Sequence, residues 1–292
     1  MKYVFMTDAS CDLTQKQVDE IGVEVLPMEF QINENIYHHY PDCRMMPLSE
    51  FYAGIKEGIV PKTTQINFES FKNYFEPYLK AGKDIIFTGI ATGLSGTYNT
   101  CLIAANELKE KYPKRKIYII DSCCDSAGLG LLVYLAGKKY KEGAGIEELR
   151  KYIEKTKGSI CHWFVVDDLD LLKKGGRISA LTATFGKALQ IKPLISADET
   201  GKLVNVGKIR GKSNVIPTLL NCVKRDADKN SKKQIAFVAH ANDPSGAKEL
   251  RKAVKSCFKE VQICDIGPII GSHVGSGMLA VVFQGNRSAG LN

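Results

Sequence analysis

Three times in its first half the chain repeats one pattern: a short apolar run, a loop of hydroxyl-bearing and small residues, then an amphipathic stretch. Tyr3–Met6 runs into Thr7-Asp8-Ala9-Ser10 and a helix predicted from Thr14 to Ile21. Asp84–Ala91 leads through Thr92-Gly93-Leu94-Ser95-Gly96-Thr97 to a helix ending near Lys111. Lys116–Asp121 leads through Ser122–Ser126 to a helix ending near Lys141. Parallel strands need crossovers, and helices supply them, so consecutive strand–loop–helix units imply a parallel sheet with helices on its faces. Ligands of such sheets sit in the crevice at the carboxyl ends of the strands, where all three loops fall. Between the first two units, the polar, proline-punctuated stretch of about 24–61 reads as an irregular insertion.

The second half has another character. Ile160–Asp167 is a predicted strand, followed by a short helix Leu169–Lys174 stopped by Gly175-Gly176. Ile191–Ala197 and Lys202–Ile209 flank Asp198-Glu199-Thr200-Gly201, a hairpin signal. Ser213–Lys229 is a helix with Pro217 in its first turn, and Ser245–Phe258 is another. Gln234–Ala239, Val261–Cys264 and Met278–Phe283 are strands. A hairpin mixed with βαβ signals implies a mixed sheet. The expected fold is α/β in two domains: an N-terminal, parallel-sheet, Rossmann-like domain over 1–157 and a C-terminal mixed-sheet α/β domain over 158–292.

Composition narrows the function. The 292 residues are 44% hydrophobic and 25% charged, which excludes a disordered or low-complexity chain. Nine cysteines with no C-x-x-C fit reduced thiols better than a disulfide framework or a zinc site. The uncharged runs Ile85–Asn106 and Ile266–Asn286 are broken by Gly, Ser and Asn, so neither should enter a bilayer; the expectation is a soluble, cytoplasmic protein. Residues 1–150 carry 17 basic and 20 acidic side chains, and the rest carry 23 and 12. The basic half suits a solvated surface, an acidic protein partner, a nucleotide or nucleic acid. With one Trp and no helix-turn-helix or RNA-binding signature, nucleic acid is the weakest of its possible partners.

Familiar catalytic motifs are missing: there is no phosphate-loop, dinucleotide or H-E-x-x-H signature, and Ser95 does not meet the G-x-S-x-G spacing. Four other features remain. Thr92, Ser95 and Thr97 stand at a helix N-terminus, where unpaired N–H groups favour an anion or the hydroxyls simply cap. Thr63-Thr64 precedes an aromatic helix. Gly267–Gly277 holds four glycines around His273, which lets backbone approach another group closely. Lys173-Lys174-Gly175-Gly176-Arg177 forms a cationic helix end.

These residues carry a resemblance. Thr7-Asp8-Ala9-Ser10-Cys11-Asp12-Leu13 resembles the T-D-S-x-x-D-L opening of the DegV family, and Gly93-Leu94-Ser95-Gly96-Thr97-Tyr98 matches its G-L-S-G-T-Y motif. Thr63-Thr64-Gln65 is similar to its T-S-Q segment, with Ile66-Asn67 in place of the usual Pro-Ser. Asp121-Ser122, Phe164–Asp168, Gly175-Gly176-Arg177-Ile178, Ile191-Lys192-Pro193 and Gly267–Gly275 follow in the family's order.

The resemblance implies a protein that encloses one long-chain fatty acid between its domains and needs no other cofactor. It also implies a non-catalytic acyl-binding subunit that presents the carboxylate to an ATP-dependent fatty acid kinase. The carboxylate-binding positions then fall on Ser95, Gly96 and Thr63 or Thr64, and the kinase-facing ones on His273, Arg177 and Arg210. The chemistry is coherent. Burying about fifteen methylenes is worth on the order of 12 kcal/mol gross, so the tail supplies affinity and the head needs only orientation. Neutral hydroxyl donors hold a carboxylate without quenching its nucleophilic oxygen. Leu129, Leu131, Leu132 and Leu135 are candidates for the tunnel wall. The alternative is an autonomous acyl hydrolase or transferase using Ser95 with His273.

Overall fold

The computed structural model describes residues 2–167, 169–178 and 191–287. Asp168, the last residue of one matched motif, lies outside them. The first half runs β1 (Tyr3–Asp8), α1 (Gln15–Ile21), β2 (Glu24–Leu26), β3 (Met28–Ile32), β4 (Asn35–His39), α2 (Leu48–Lys56), β5 (Lys62–Thr64), α3 (Phe68–Lys80), β6 (Asp84–Gly89), α4 (Thr97–Lys111), β7 (Ile117–Asp121), α5 (Ser126–Lys141) and α6 (Ile146–Lys157). The second half runs β8 (Ile160–Val165), α7 (Asp170–Lys174), β9 (Ile191–Ala197), β10 (Leu203–Arg210), α8 (Val215–Asp226), β11 (Ile235–His240), α9 (Pro244–Val254), β12 (Glu260–Asp265), α10 (Pro268–Val274) and β13 (Leu279–Gln284).

The strand–loop–helix units form a parallel sheet of order β2-β1-β6-β7. Its two central strands, β1 and β6, are buried almost throughout, as strands covered on both faces must be. The second half forms a mixed sheet of order β10-β9-β8-β13-β11-β12, in which the late strand β13 lies between β8 and β11. The β9–β10 hairpin turns at Asp198, whose N–H donates to the Lys202 carbonyl (2.9 Å).

The stretch 24–61 is not irregular. It holds edge strand β2, the β3–β4 hairpin and α2, and with β5 it builds a third, antiparallel sheet of order β4-β3-β5. Met28, Phe30 and Ile32 are buried on one face of β3 while Glu29 and Gln31 are half-exposed, the alternation of a sheet covered on one side.

Helix α5 is the layer between the two large sheets, touching β1 on one side and β8, β11 and β13 on the other. Leu129, Leu131 and Leu132 are fully buried there. Three glycines let the helix approach this closely. A Cβ on Gly128 would strike the His162 ring, one on Gly130 the Cys11 carbonyl oxygen, and one on Gly137 the Ile21 side chain. One apolar core therefore runs from the first sheet through α5 into the second. A separate core lies on the far face of the six-stranded sheet, under α8 and α9, and contains Trp163, Leu219, Leu250 and Phe283. Among the described residues, no helix is long and apolar enough to cross a membrane.

Candidate functional site

Two carboxylates, buried Asp8 and half-buried Asp121, tie together the loops at the carboxyl ends of the parallel strands. Asp8 accepts from Ser10 N (3.0 Å) and Ile90 N (2.9 Å), joining the loops after β1 and β6. Asp121 accepts from the Thr92 hydroxyl and from Cys123 N, joining the loops after β6 and β7. Burial pushes the Asp8 pKa up, although hydrogen bonds from Ser10 and Ile90 oppose it. The crevice is thus set by fixed backbone.

Ser95 sits at the entry to α4. Its Oγ accepts from Thr97 N (3.2 Å) and lies 2.9 Å from Thr97 Oγ1, covering one of the free N–H groups of that helix. Gly96, the N-cap, supplies no side-chain cap and lies against the Gln65 amide, which donates to Thr100 Oγ1 (2.9 Å). A Cβ at Gly96 would displace that amide.

Strand β5 delivers Thr63 and Thr64 through its pairing with β3, Thr63 opposite Phe30 and Thr64 opposite Glu29. The Thr63 hydroxyl meets His273 Nε2 at 2.9 Å. His273 belongs to α10, so the glycine-rich segment is a helix with Pro268 at its start. The close approach expected of its glycines is present: a Cβ on Gly271 would fall 2.7 Å from the Tyr52 hydroxyl oxygen. Gly267 N donates to buried Asp12 (2.8 Å), and the Tyr52 hydroxyl donates to the Ile266 carbonyl (2.8 Å), fixing the start of α10. His273 packs over Gly175, where a Cβ would be 2.5 Å from Nδ1. Burial, and next the Arg177 charge, lower its pKa to about 4, so the ring is neutral at neutral pH.

Arg177, beyond the glycines that end α7, is half-buried. Its Nε donates to the Leu94 carbonyl (3.0 Å), and it also donates to the Gly175 carbonyl. Burial lowers its pKa from the ordinary value, but a guanidinium keeps its charge. These partners are carbonyl oxygens, so neither neutralises it.

The tip of the β9–β10 hairpin rests on the same crevice. Gly93 abuts Lys202, and Gly201, at φ +84, abuts Ala91 and Cys123. Buried Arg287 secures the tip by donating to the carbonyls of Cys123 (2.6 Å) and Asp198 (2.6 Å), with Lys157 and Ala197 each at 3.4 Å.

These elements enclose a cavity of about 310 Å³, within the range of small-molecule sites. Thr63, Thr64, Gln65, Ser95, Gly96, Arg177 and His273 line its polar side, and Met28, Ile90, Leu94, Leu172, Leu203 and Ile269 its apolar side. Six of the seven residues expected to bind the carboxylate or face the kinase therefore meet here. Arg210 does not. It is the exposed last residue of β10, seven positions from Leu203, and an extended strand carries it about 20 Å away. The four leucines of α5 do not line the cavity either, because α5 is packed from both sides. Ser95 and His273 are bonded to Thr97 and Thr63 respectively, not to each other, so the nucleophile–base contact of a hydrolase is missing. Sequence reasoning missed Gln65, Asp125 and the α10 isoleucines Ile269 and Ile270. Gln65 adjoins the two threonines and Asp125 precedes a predicted helix, which were their available signals. Among the described residues, no three His, Cys, Asp or Glu side chains gather to hold a metal ion.

Residues 2–286 match the family described as "Uncharacterised protein, DegV family". A DegV domain-containing protein of Clostridium perfringens is 37% identical over 98% of both chains. A solved DegV family protein of Thermus thermophilus, described for its fatty acid binding, superposes with a TM-score of 0.87 at 26% identity, covering 98% of this chain and 100% of that one. A fatty acid binding DegV family protein of Streptococcus agalactiae has a TM-score of 0.84 at 26% identity, covering 98% and 99%.

Proposed function

This chain belongs to the DegV family, and on that premise we propose that it binds one long-chain fatty acid and presents the carboxylate to a partner kinase. One observation carries the reading: a single cavity joins an apolar wall to a cluster of neutral hydroxyl and amide groups, beside a guanidinium that among the described residues meets carbonyl oxygens and no carboxylate. The tail fills the apolar part. The Ser95 hydroxyl and that of Thr63 or Thr64 donate to the carboxylate, and a neutral His273 leaves its charge intact. Arg177 acts at the phosphoryl-transfer stage, where negative charge develops on the incoming group. The protein itself is the acyl-binding, non-catalytic partner. Thr63 tied to His273, rather than Ser95 tied to His273, favours this over autonomous acyl hydrolysis.

The test is a coupled assay with an ATP-dependent fatty acid kinase, run beside a direct palmitate titration. Arg177→Ala should cut acyl-phosphate formation by about 10²- to 10³-fold while changing palmitate affinity only a few-fold. Equal loss in both would make Arg177 a pocket residue and remove the presentation mechanism.

A further inference from the structure

A small chamber lies beside the cavity. A void of about 20 Å³ shares Asp125, Ile270 and Val274 with the main cavity and is otherwise walled largely by apolar groups, among them Phe164, Met278 and Val282. His162 also lines it. This residue stands in β8, opposite Val282 of β13, and is buried against Gly128, the one residue type that leaves room for its ring. Its Nδ1 lies 2.7 Å from Asp125 Oδ1, while its Nε2 is buried with no hydrogen-bond partner among the described residues.

A carboxylate accepts, so Nδ1 carries the hydrogen. Burial lowers the ring's pKa, which keeps the second proton off and leaves a lone pair on Nε2. A buried acceptor without a donor is costly. A site for one water needs about 10–15 Å³, so the chamber is the size of a single hydroxyl group.

We infer that this chamber receives a hydroxyl borne on the acyl chain, which donates to His162 Nε2, and that the protein therefore selects a hydroxylated long-chain fatty acid over the plain one. The inference rests on the fatty-acid reading above. A methylene in the chamber leaves Nε2 bare. A ketone sets a second acceptor against it. Only a donor satisfies it.

The experiment titrates the full chain with palmitic acid, with hydroxypalmitic acids bearing the hydroxyl at successive positions from mid-chain to the methyl end, and with their oxo counterparts. One hydroxy isomer should bind about tenfold more tightly than palmitate, and its oxo counterpart no more tightly than palmitate. His162→Asn keeps an N–H for Asp125 and deletes Nε2, so the hydroxy-to-palmitate preference should fall to about one. If palmitate binds and no hydroxy isomer exceeds it, the chamber holds a water and the inference is overturned while the fatty-acid reading stands. A preference that survives in His162→Asn, or is shared by the oxo acid, overturns it too. If no member of the series binds, both readings fall. Should the variant not fold, the comparison of hydroxy and oxo acids on the unmodified chain still decides.

Discussion

Thr63→Val removes one hydroxyl from the cavity and little else. Valine keeps the branched shape and strand preference of threonine, so the pairing of β5 with β3 opposite Phe30 survives. On the proposed function two hydrogen bonds are lost, and they act on different observables. The Thr63–His273 contact of 2.9 Å exists without ligand, so its loss lowers the stability of the free protein by about 0.5–1.5 kcal/mol. That loss largely cancels in a dissociation constant, because His273 lacks the partner before and after binding. The bond that the proposed function assigns from Thr63 to the carboxylate would exist only in the complex. Hydrogen bonds to charged groups contribute about 1.5–3 kcal/mol, so palmitate should bind roughly 10- to 150-fold more weakly. Displacement of a fluorescent fatty acid measures the affinity, and thermal unfolding without ligand measures the stability. Thr64→Val is the comparison, since Thr64 lines the same cavity from the more exposed position. If Thr63→Val binds within twofold of the parent while Thr64→Val does not, the head group is held by Thr64. If neither variant weakens binding, the carboxylate does not sit between β5 and α4.

Two further predictions concern stability. Gly130→Ala should destabilise by about 1–2 kcal/mol, a few degrees in Tm, because overlap with the Cys11 backbone oxygen outweighs the ~1 kcal/mol helix-propensity gain. Gly158→Ala, at φ −72 with nothing within 4 Å, should instead stabilise by about 0.4–1 kcal/mol; urea unfolding of the pair that gave the same sign would refute this packing of α5. Burial lowers the His39 pKa from 6.5 to about 4, so the unfolded chain holds that proton more tightly and stability is lost as pH falls from about 6.5 toward 4. His39→Gln should flatten the profile over that window by up to about 3 kcal/mol, and an unchanged slope would show that His39 is not buried as described.

The parallel units were legible because each strand, its loop and its helix are contiguous, and because their apolar periods are local. The β4-β3-β5 sheet was harder to read. Its signal is the alternation of Met28, Phe30 and Ile32 with Glu29 and Gln31, ended by Asn33 at φ +53, but β5 is three residues long and joins from thirty residues away. Four glycines disguised α10, although Pro268 marks its first turn. Arg210 stands near other cations in the chain, yet an extended strand spends its length moving away from the cavity. No local pattern joins Asp125 to His162, which meet because α5 and β8 face each other.

The place of β13 has a consequence for synthesis. Strands β8 and β11 leave the ribosome before the strand that separates them, so each waits with one unpaired border until residues 279–284 emerge. The parallel sheet is under no such delay, since β1, β2, β6 and β7 precede α6. Because α5 seats on both sheets, its outward face stays bare through that interval. A growing chain of this design is sticky late rather than early, and a chaperone that shields nascent apolar surface should engage it most strongly just before β13 appears.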